Sequence, residues 1–488
     1  MSFFFTFIES PIQVIFNLVY IITVIFIAVF IILENRSPIK TISWVLVILL
    51  LPIVGIIFYM FFGQEYRKKK MFSRKGLKNI ERIKEITQKQ LNQLPTNIRY
   101  FSQDIFEKRH LINLLMANDN AFLSDNNQVT VLKNGDECFP AIFQAIENAK
   151  HHIHLEYYII GDDKIGNQLR ELLIRKSREG VEVRVIYDDV GTWKLSKKFI
   201  RSLKEAGVMI DCFIKVRFPL LTSKANYRNH HKIIIIDGEI GFVGGLNMAD
   251  RYLYGLKNFG IWRDTHLMIK GSGTVGLQSV FAADWYFVSK ELLNNKEYFH
   301  TSPKIKGKLV QIVSSGPDSD WKSISQAYLL AISSAKEKVY IATPYLIPNT
   351  EINSALKIAA LSGIDIRILL PQKSDTIIPA WSTKSYIEEL LYSGVKIYFY
   401  QPGFMHSKLL MVDGVFSSVG SANFDLRSME TNFEVNAMVY DKETFDILES
   451  QYMKDLSQSR EIILSEWQQR SRWKKIKESF ARLLSPLL

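Results

Sequence analysis

The sequence predicts an α/β protein of two related lobes, standing behind an N-terminal pair of membrane-spanning helices. Three observations predict it. A short pattern of His, Lys, Asp and Gly occurs twice, far apart in the chain. Strand-like and helix-like segments alternate in the same order around each copy. The residues before position 63 form a dense apolar block.

At 488 residues the chain has room for two or three domains. The formal charge of +12 fits a nucleic acid, an anionic membrane or solubility alone as its cause. With apolar spans present, anionic lipid is the favoured partner. Cys138 and Cys212 make neither a disulfide framework nor a zinc pattern, and are expected to be small buried thiols.

Residues 1–66 read as a helical hairpin. Positions 11–33 and 41–62 carry no charge, and at ~1.5 Å per residue each run can cross a ~30 Å hydrocarbon core. A short polar link, residues 34–40, joins them. A cleaved signal peptide is the rival reading, but there is no basic leading region and no small-residue cleavage site, and the first run is too long. Residues 67–120 form a basic juxtamembrane and helical linker. Its cluster of Arg67, Lys68, Lys69, Lys70, Arg74, Lys75 and Lys78 outweighs the charge of the link. The cluster, and with it the catalytic region, is therefore expected in the cytoplasm. Against anionic headgroups each base contributes about 1 kcal/mol. Residues 80–94 are expected to be a helical spacer.

The first lobe, residues 121–300, reads as strand, helix (164–179), strand, helix (194–206), strand, loop and catalytic strand. The second, residues 301–460, repeats the order. Ala-Ile-Glu-Asn-Ala-Lys (145–150) matches Ala-Ile-Ser-Ser-Ala-Lys (331–336), and Val-Glu-Val-Arg-Val-Ile (181–186) matches Ile-Asp-Ile-Arg-Ile-Leu (364–369). Residues 216–221, Val-Arg-Phe-Pro-Leu-Leu, have no equally long counterpart; they read either as a lipid-dipping loop or as one packed on the core. Residues 461–488 are a basic amphipathic tail. Trp473, Ile476, Phe480, Leu483, Leu484 and Leu487 keep helical period among Arg472, Lys474, Lys475, Lys477 and Arg482. An interfacial helix is favoured there over one docked on the catalytic region.

The repeated pattern carries the chemistry. Its first copy is His230-His231-Lys232, then Asp237, then Gly244-Gly245-Leu246-Asn247. Its second is His406-Ser407-Lys408, then Asp413, then Gly420-Ser421-Ala422-Asn423. Each runs into an apolar stretch that reads as a strand, whose period of two sets His and Lys on one face. An imidazole beside an ammonium is half of a phosphate site, and two such halves complete it.

This arrangement resembles the phospholipase D superfamily, and with the apolar N-terminus it resembles the bacterial cardiolipin synthases within it. Trp262-Arg263-Asp264-Thr265-His266 and Asn432-Phe433-Glu434 add to the likeness. The resemblance implies two phospholipase D-like α/β lobes related by a pseudo-two-fold axis, preceded by the transmembrane hairpin. It implies phosphatidylglycerol as donor and acceptor, cardiolipin and glycerol as products, and His230 as nucleophile with His406 as acid/base.

Phosphodiester exchange needs a nucleophile, an acid for the leaving alkoxide and positive charge at the phosphoryl oxygens. The two histidines supply the first two through a phosphohistidine. Lys232 and Lys408 supply the third, without a metal or other cofactor. Asn247 and Asn423 are candidate donors to the same oxygens. A catalytic imidazole is oriented through its second nitrogen, usually by a carboxylate. Asp264 is assigned to His230, and Glu434 to His406. Asp237 and Asp413 have the wrong strand parity to react and are expected to hold turns. His151, His152, His154 and His231 read as structural, and a zinc site from His230, His231 and an acid is a minor rival.

Three other functions compete. A membrane-bound phospholipase D hydrolase, or a phosphatidyltransferase with another alcohol, would keep the same site. A nuclease would explain the charge but not the hairpin, and no aromatic-basic array for single strands is evident. A silent membrane scaffold would tolerate a lost His or Lys, and none is lost.

Overall fold

A computed structural model of the protein describes residues 102–216, 226–299 and 307–485, with 38–51 and isolated positions before 60. The basic cluster at 67–78, the spacer at 80–94 and residues 217–221 lie outside the described residues, as does Leu487.

In the N-terminal region the described helix is α1, Pro38–Leu50. It starts inside the expected polar link, because a proline in the first helical turn lacks only an N–H that would be unpaired anyway. It ends two residues before Pro52, whose ring disfavours helix at the preceding residue. Of the expected helix over 41–62, positions 41–50 are helical within α1, and most positions after 51 lie outside the described residues. Thirteen residues span only ~20 Å, and among the described residues no helix is long and apolar enough to cross a membrane. Most of the run at 11–33 lies outside the described residues.

The catalytic region follows the predicted alternation. The first lobe contains β1 (Ser124–Lys133), α2 (Asn134–Glu147), β2 (His152–Tyr157), α3 (Lys164–Arg178), β3 (Glu182–Asp188), α4 (Lys197–Glu205), β4 (Met209–Phe213), β5 (Lys232–Ile236), β6 (Ile240–Gly244), β7 (Ile261–Arg263), β8 (Thr265–Lys270) and α5 (Gly273–Ser289). The second contains β9 (Lys308–Ser315), α6 (Ser323–Ser333), β10 (Lys338–Ala342), α7 (Thr350–Leu361), β11 (Asp365–Pro371), α8 (Ile377–Tyr392), β12 (Lys396–Tyr400), β13 (Gly403–Met405), β14 (Leu409–Val412), β15 (Phe416–Gly420) and β16 (Glu434–Tyr440). After it come α9 (Lys442–Ser457), β17 (Ser459–Glu461) and α10 (Arg472–Leu483).

Local chemistry sets the ends of these elements. The side chains of Asp163 and Ser196 accept from the backbone N–H of Gly166 and Phe199 and so cap α3 and α4. Gly180 and Gly363, at matching places in the two lobes, follow α3 and α7 with φ of +92°, a conformation that only glycine adopts freely. The strands at the centre are apolar on both faces because helices cover both. Ile233, Ile234, Ile235 and Ile236 of β5 are all buried, each worth about 1.5–3 kcal/mol of transfer energy.

Among the described residues, fifteen strands form one sheet in the order β17-β12-β11-β10-β14-β15-β16-β9-β1-β8-β6-β5-β2-β3-β4. The order is nearly a palindrome about the antiparallel contact of β1 with β9. Outward from that contact, β8-β6-β5-β2-β3-β4 on one side answers β16-β15-β14-β10-β11-β12 on the other, and β17 is the extra edge strand. In both halves the outer three strands are parallel and the inner ones antiparallel. The lobes thus share a sheet as well as the catalytic seam. Separate packed cores flank it, one around Ile153, Leu155 and Ile234, the other around Ile341, Ile368 and Leu410.

Candidate active site

His and Lys of each copy stand at the mouth of a strand rather than within it: β5 begins at Lys232, and β14 begins after Lys408. What fixes the histidines is pairing across the seam. β13 runs parallel to β7, with Met405 opposite Arg263, and the next backbone N–H, that of His406, donates to the Arg263 carbonyl at 2.8 Å. In the other half Asn229 bridges Phe433, and His230 N–H donates to the Phe433 carbonyl at 2.9 Å. Each histidine is therefore held by the lobe that does not contain it.

This reverses the expected partnership of histidines and acids. Asp264 follows Arg263 and so lies against His406, with Oδ2 2.6 Å from Nδ1. Glu434 follows Phe433 and lies against His230, with Oε1 3.4 Å from Nδ1. The same-lobe assignment of Asp264 to His230 and of Glu434 to His406 is corrected: order along the chain gives each acid's lobe, but pairing across the seam, of β7 with β13 and of Asn229 with Phe433, decides which imidazole it meets.

A carboxylate only accepts, so each Nδ1 carries the proton and Nε2 is left for chemistry. The histidine side chains are 20% and 14% exposed, enough to be reached, whereas both carboxylates are fully buried. Burial opposes the charge on Asp264, but Lys408 and His406 outweigh it and hold the carboxyl below its usual range. His230 and Lys232 do the same for Glu434. Burial lowers the pKa of His230, and lowers that of His406 to about 4 with help from Lys408. Burial thus biases both rings towards the neutral form.

The lysines are buried beneath the rings. Lys232 Nζ donates to the His230 carbonyl at 2.7 Å, and Lys408 Nζ lies 3.0 Å from His406 Nδ1 and donates to the His406 carbonyl. Burial brings Lys232 down to about 7 and Lys408 to about 8. Lys408 contributes to the lowering of Lys232, and both ammoniums are supported by Asp264 and Glu434. The two half-sites thus form one electrostatic unit, two lysines set between two carboxylates.

The other sequence candidates lie as follows. Asn247 donates to Tyr252 Oη at 2.6 Å and accepts from Ile159 N–H; Asn423 donates to Asp425 at 2.9 Å. Each amide keeps a second N–H. Asp237 and Asp413 sit in left-handed turns, φ +54° and +52°, at the far ends of β5 and β14. Asp237 accepts the N–H groups of Lys150, His151 and His152; Asp413 accepts those of Lys336, Glu337 and Lys338, and the Lys108 ammonium at 2.8 Å.

Sequence reasoning missed several neighbours. The Tyr158 ring lies 4.2 Å from that of His230. Asp188 accepts from Arg228 and from Asn229 N–H, fastening the approach to His230. The charge of Asp375 reaches His406 and Lys408. The available signal was position: all three fall just at or beyond the carboxyl ends of β2, β3 and β11, where α/β sheets gather ligands. Beneath His230, His231 pairs with Asp284 at 3.0 Å and with Glu156 at 3.5 Å. Burial disfavours its charge, but the two acids outweigh that and raise it to about 10. Their ligand atoms lie within 4.8 Å of one another, so among the described residues these three could hold a metal; the ion pairs already satisfy them in part.

Known proteins share this layout. A family profile described as cardiolipin synthase, PLD-like domain, matches twice, at residues 142–271 and 328–456. A profile described as phospholipase D-nuclease N-terminal matches residues 18–64. The cardiolipin synthase of Alkalihalophilus pseudofirmus is 45% identical over 97% of this chain and 93% of its own. Cardiolipin synthase 2 of Bacillus anthracis is 44% identical over 93% of this chain and 88% of its own. The chain belongs to the bacterial cardiolipin synthase family of the phospholipase D superfamily. It is a phosphatidyltransferase by that membership. The crystal structure of phosphatidylserine synthase from Haemophilus influenzae Rd KW20 matches 79% of this chain and all of its own, with a TM-score of 0.59 at 15% identity, and so shares the fold.

Proposed function

We propose that the enzyme transfers the phosphatidyl group of one phosphatidylglycerol to a second, giving cardiolipin and glycerol. The observation that carries this reading is the crossed pair of imidazole–carboxylate contacts above two buried lysines. His230 Nε2 attacks phosphorus, the bond to the glycerol headgroup oxygen breaks, and that oxygen takes a proton from His406 Nε2. The product is a phosphatidyl-His230. Neutral His406 then removes the proton from the terminal hydroxyl of a second phosphatidylglycerol. That oxygen attacks phosphorus, the phosphorus–nitrogen bond breaks, and cardiolipin leaves.

The closer Asp264 contact supports His406 as the group that must carry a proton, since the adjacent anion stabilises an imidazolium. An arriving phosphodiester adds a second negative charge and raises His406 towards protonation. Lys232 and Lys408 neutralise the equatorial oxygens, and the second N–H of Asn247 and of Asn423 is available to them. The two apolar runs at 11–33 and 41–62, together with the N-terminal family match, support a membrane hairpin with the catalytic region on the cytoplasmic side.

The test is to reconstitute the full chain in liposomes of phosphatidylglycerol with a chelator and resolve the products. One glycerol released per cardiolipin supports the proposal. Phosphatidic acid as the sole product would show a hydrolase, and a new phospholipid on adding another alcohol would show a different acceptor.

A further inference from the structure

Helix α10 is packed the wrong way round for a water-soluble protein. Its inward face is Glu478 and Ala481, continued by Ser485, all buried. Arg470 pairs with Glu478 at 2.6 Å, and Ser485 Oγ meets Ser382 Oγ of α8 at 2.9 Å. Arg482 reaches Glu389 of α8 at 2.7 Å, and Lys475 reaches Glu388 at 3.3 Å. The outward face is apolar. Trp473, Ile476, Phe480 and Leu483 are 75, 56, 65 and 76% exposed. At 100° per residue those four fall on one side of the helix, opposite the docked side. Of the two sequence alternatives the structure shows a docked helix, held by polar and small residues, with its apolar stripe left exposed.

Charge selects what covers that stripe. Arg472 flanks it on one side and Lys477 on the other, with Lys474 also exposed, and no acidic residue lies on the outward half of the helix. Cationic flanks beside a bulky apolar stripe suit an anionic lipid surface, where the stems lie along the acyl boundary and the charges reach headgroups. A second copy of the same face would instead oppose like charges. The supporting helix α8 adds to the argument. It begins two residues after Asp375, whose charge reaches His406 and Lys408, and opens with Ile377 and Ile378, which are also exposed.

We propose that α10 is an interfacial anchor. It lies in the headgroup layer of an anionic leaflet with Trp473, Ile476, Phe480 and Leu483 at the acyl boundary, and through α8 it sets the catalytic mouth at the depth of its lipid substrates. This rests on the proposed function only in taking a bilayer as the enzyme's setting. Its readout is position in lipid rather than turnover, so either can fail alone.

The test uses the full chain in proteoliposomes with Ile476→Cys carrying an environment-sensitive fluorophore; Cys138 and Cys212 are buried, and unsubstituted protein serves as the labelling control. Brominated-chain phosphatidylglycerol is expected to quench the label and phosphatidylcholine vesicles to leave it much brighter. Arg472→Gln, Lys474→Gln and Lys477→Gln together are expected to weaken insertion on the order of a hundredfold, roughly fivefold per charge. A label that stays water-exposed and unquenched in phosphatidylglycerol overturns the proposal, whether or not the enzyme turns over. So does a blue shift that tracks protein concentration in lipid-free detergent, which would mean that a second copy covers the stripe.

Discussion

The two half-sites sit on matching strands of a nearly palindromic sheet, yet they are not equal. Asp264 serves His406 at 2.6 Å and touches it directly, while Glu434 stands 3.4 Å from His230. Glu434 also shares its oxygens with Ser421 at 2.5 Å, Ser428 at 2.9 Å and Asn432 at 3.2 Å. The cause is one position in the Gly-rich turn. Gly245 leaves space for Asp264, because a Cβ there would come within 2.1 Å of Oδ1. The corresponding residue in the second lobe is Ser421, whose hydroxyl is given to Glu434. Asp264 has one backbone donor, Thr265 N–H, besides its ring, whereas Glu434 is spread over three other side-chain donors. Symmetry builds the site, and the proposed division between attack and proton transfer draws on this departure from it.

The largest expected effect separates crossed from same-lobe pairing. Asp264→Asn should lower kcat by roughly 10²–10⁴, the usual scale of acid–base catalysis, and a substrate with a good leaving group should restore much of the first step. Glu434→Gln should cost less and gain no such rescue. If Glu434→Gln is the variant rescued, the division of roles is reversed.

Next comes charge on the floor. Lysines brought down to about 7 and about 8 lose their protons as pH rises through that range, so kcat/KM should fall on the alkaline side. Lys408→Arg keeps its charge and should flatten the upper part of that limb, at some cost in geometry. An unchanged limb in a pH–rate profile would remove the lysines from the account. Gly245→Ala should displace Asp264, costing roughly 1–3 kcal/mol by overpacking along with activity. Ser421→Ala should leave the larger share of activity intact, measured side by side.

The smallest effect on chemistry is expected at the turns. Asp237→Asn and Asp413→Asn each weaken a cluster of backbone N–H contacts and should lower thermal stability by about 1–3 kcal/mol with little change in kcat once folded. Burial opposes the charge on Asp413, but Lys108 and the backbone donors outweigh it and depress its pKa. Its contribution is therefore present above the unfolded carboxyl pKa and lost as pH falls through the folded one. Thermal melts from pH 7 down to acid, compared with Asp413→Asn, check this.

Much of this was legible in the sequence because a repeat announces itself. His230, Lys232, His406 and Lys408 were marked by pattern alone, and the alternation around them foretold the two halves of the sheet. Which acid meets which histidine was not legible, since it depends on β7 finding β13 across the seam, a pairing of residues 142 positions apart for Asp264 and His406. Tyr158, Asp188 and Asp375 carry no motif and are brought in only by where strands end. The inverted packing of α10 was half legible: the amphipathic period was visible, but the side that would face the protein was not.

The central claim is that both lobes act on one phosphorus, with His230 attacking and His406 moving the proton. Incubating His406→Ala with a phosphatidyl ester of a good leaving group, and mapping the acid-labile adduct by mass spectrometry, tests it directly. The account predicts a phosphatidyl group on His230 and none in His230→Ala. An adduct on another residue, or unimpaired cardiolipin formation by His230→Ala, would contradict it.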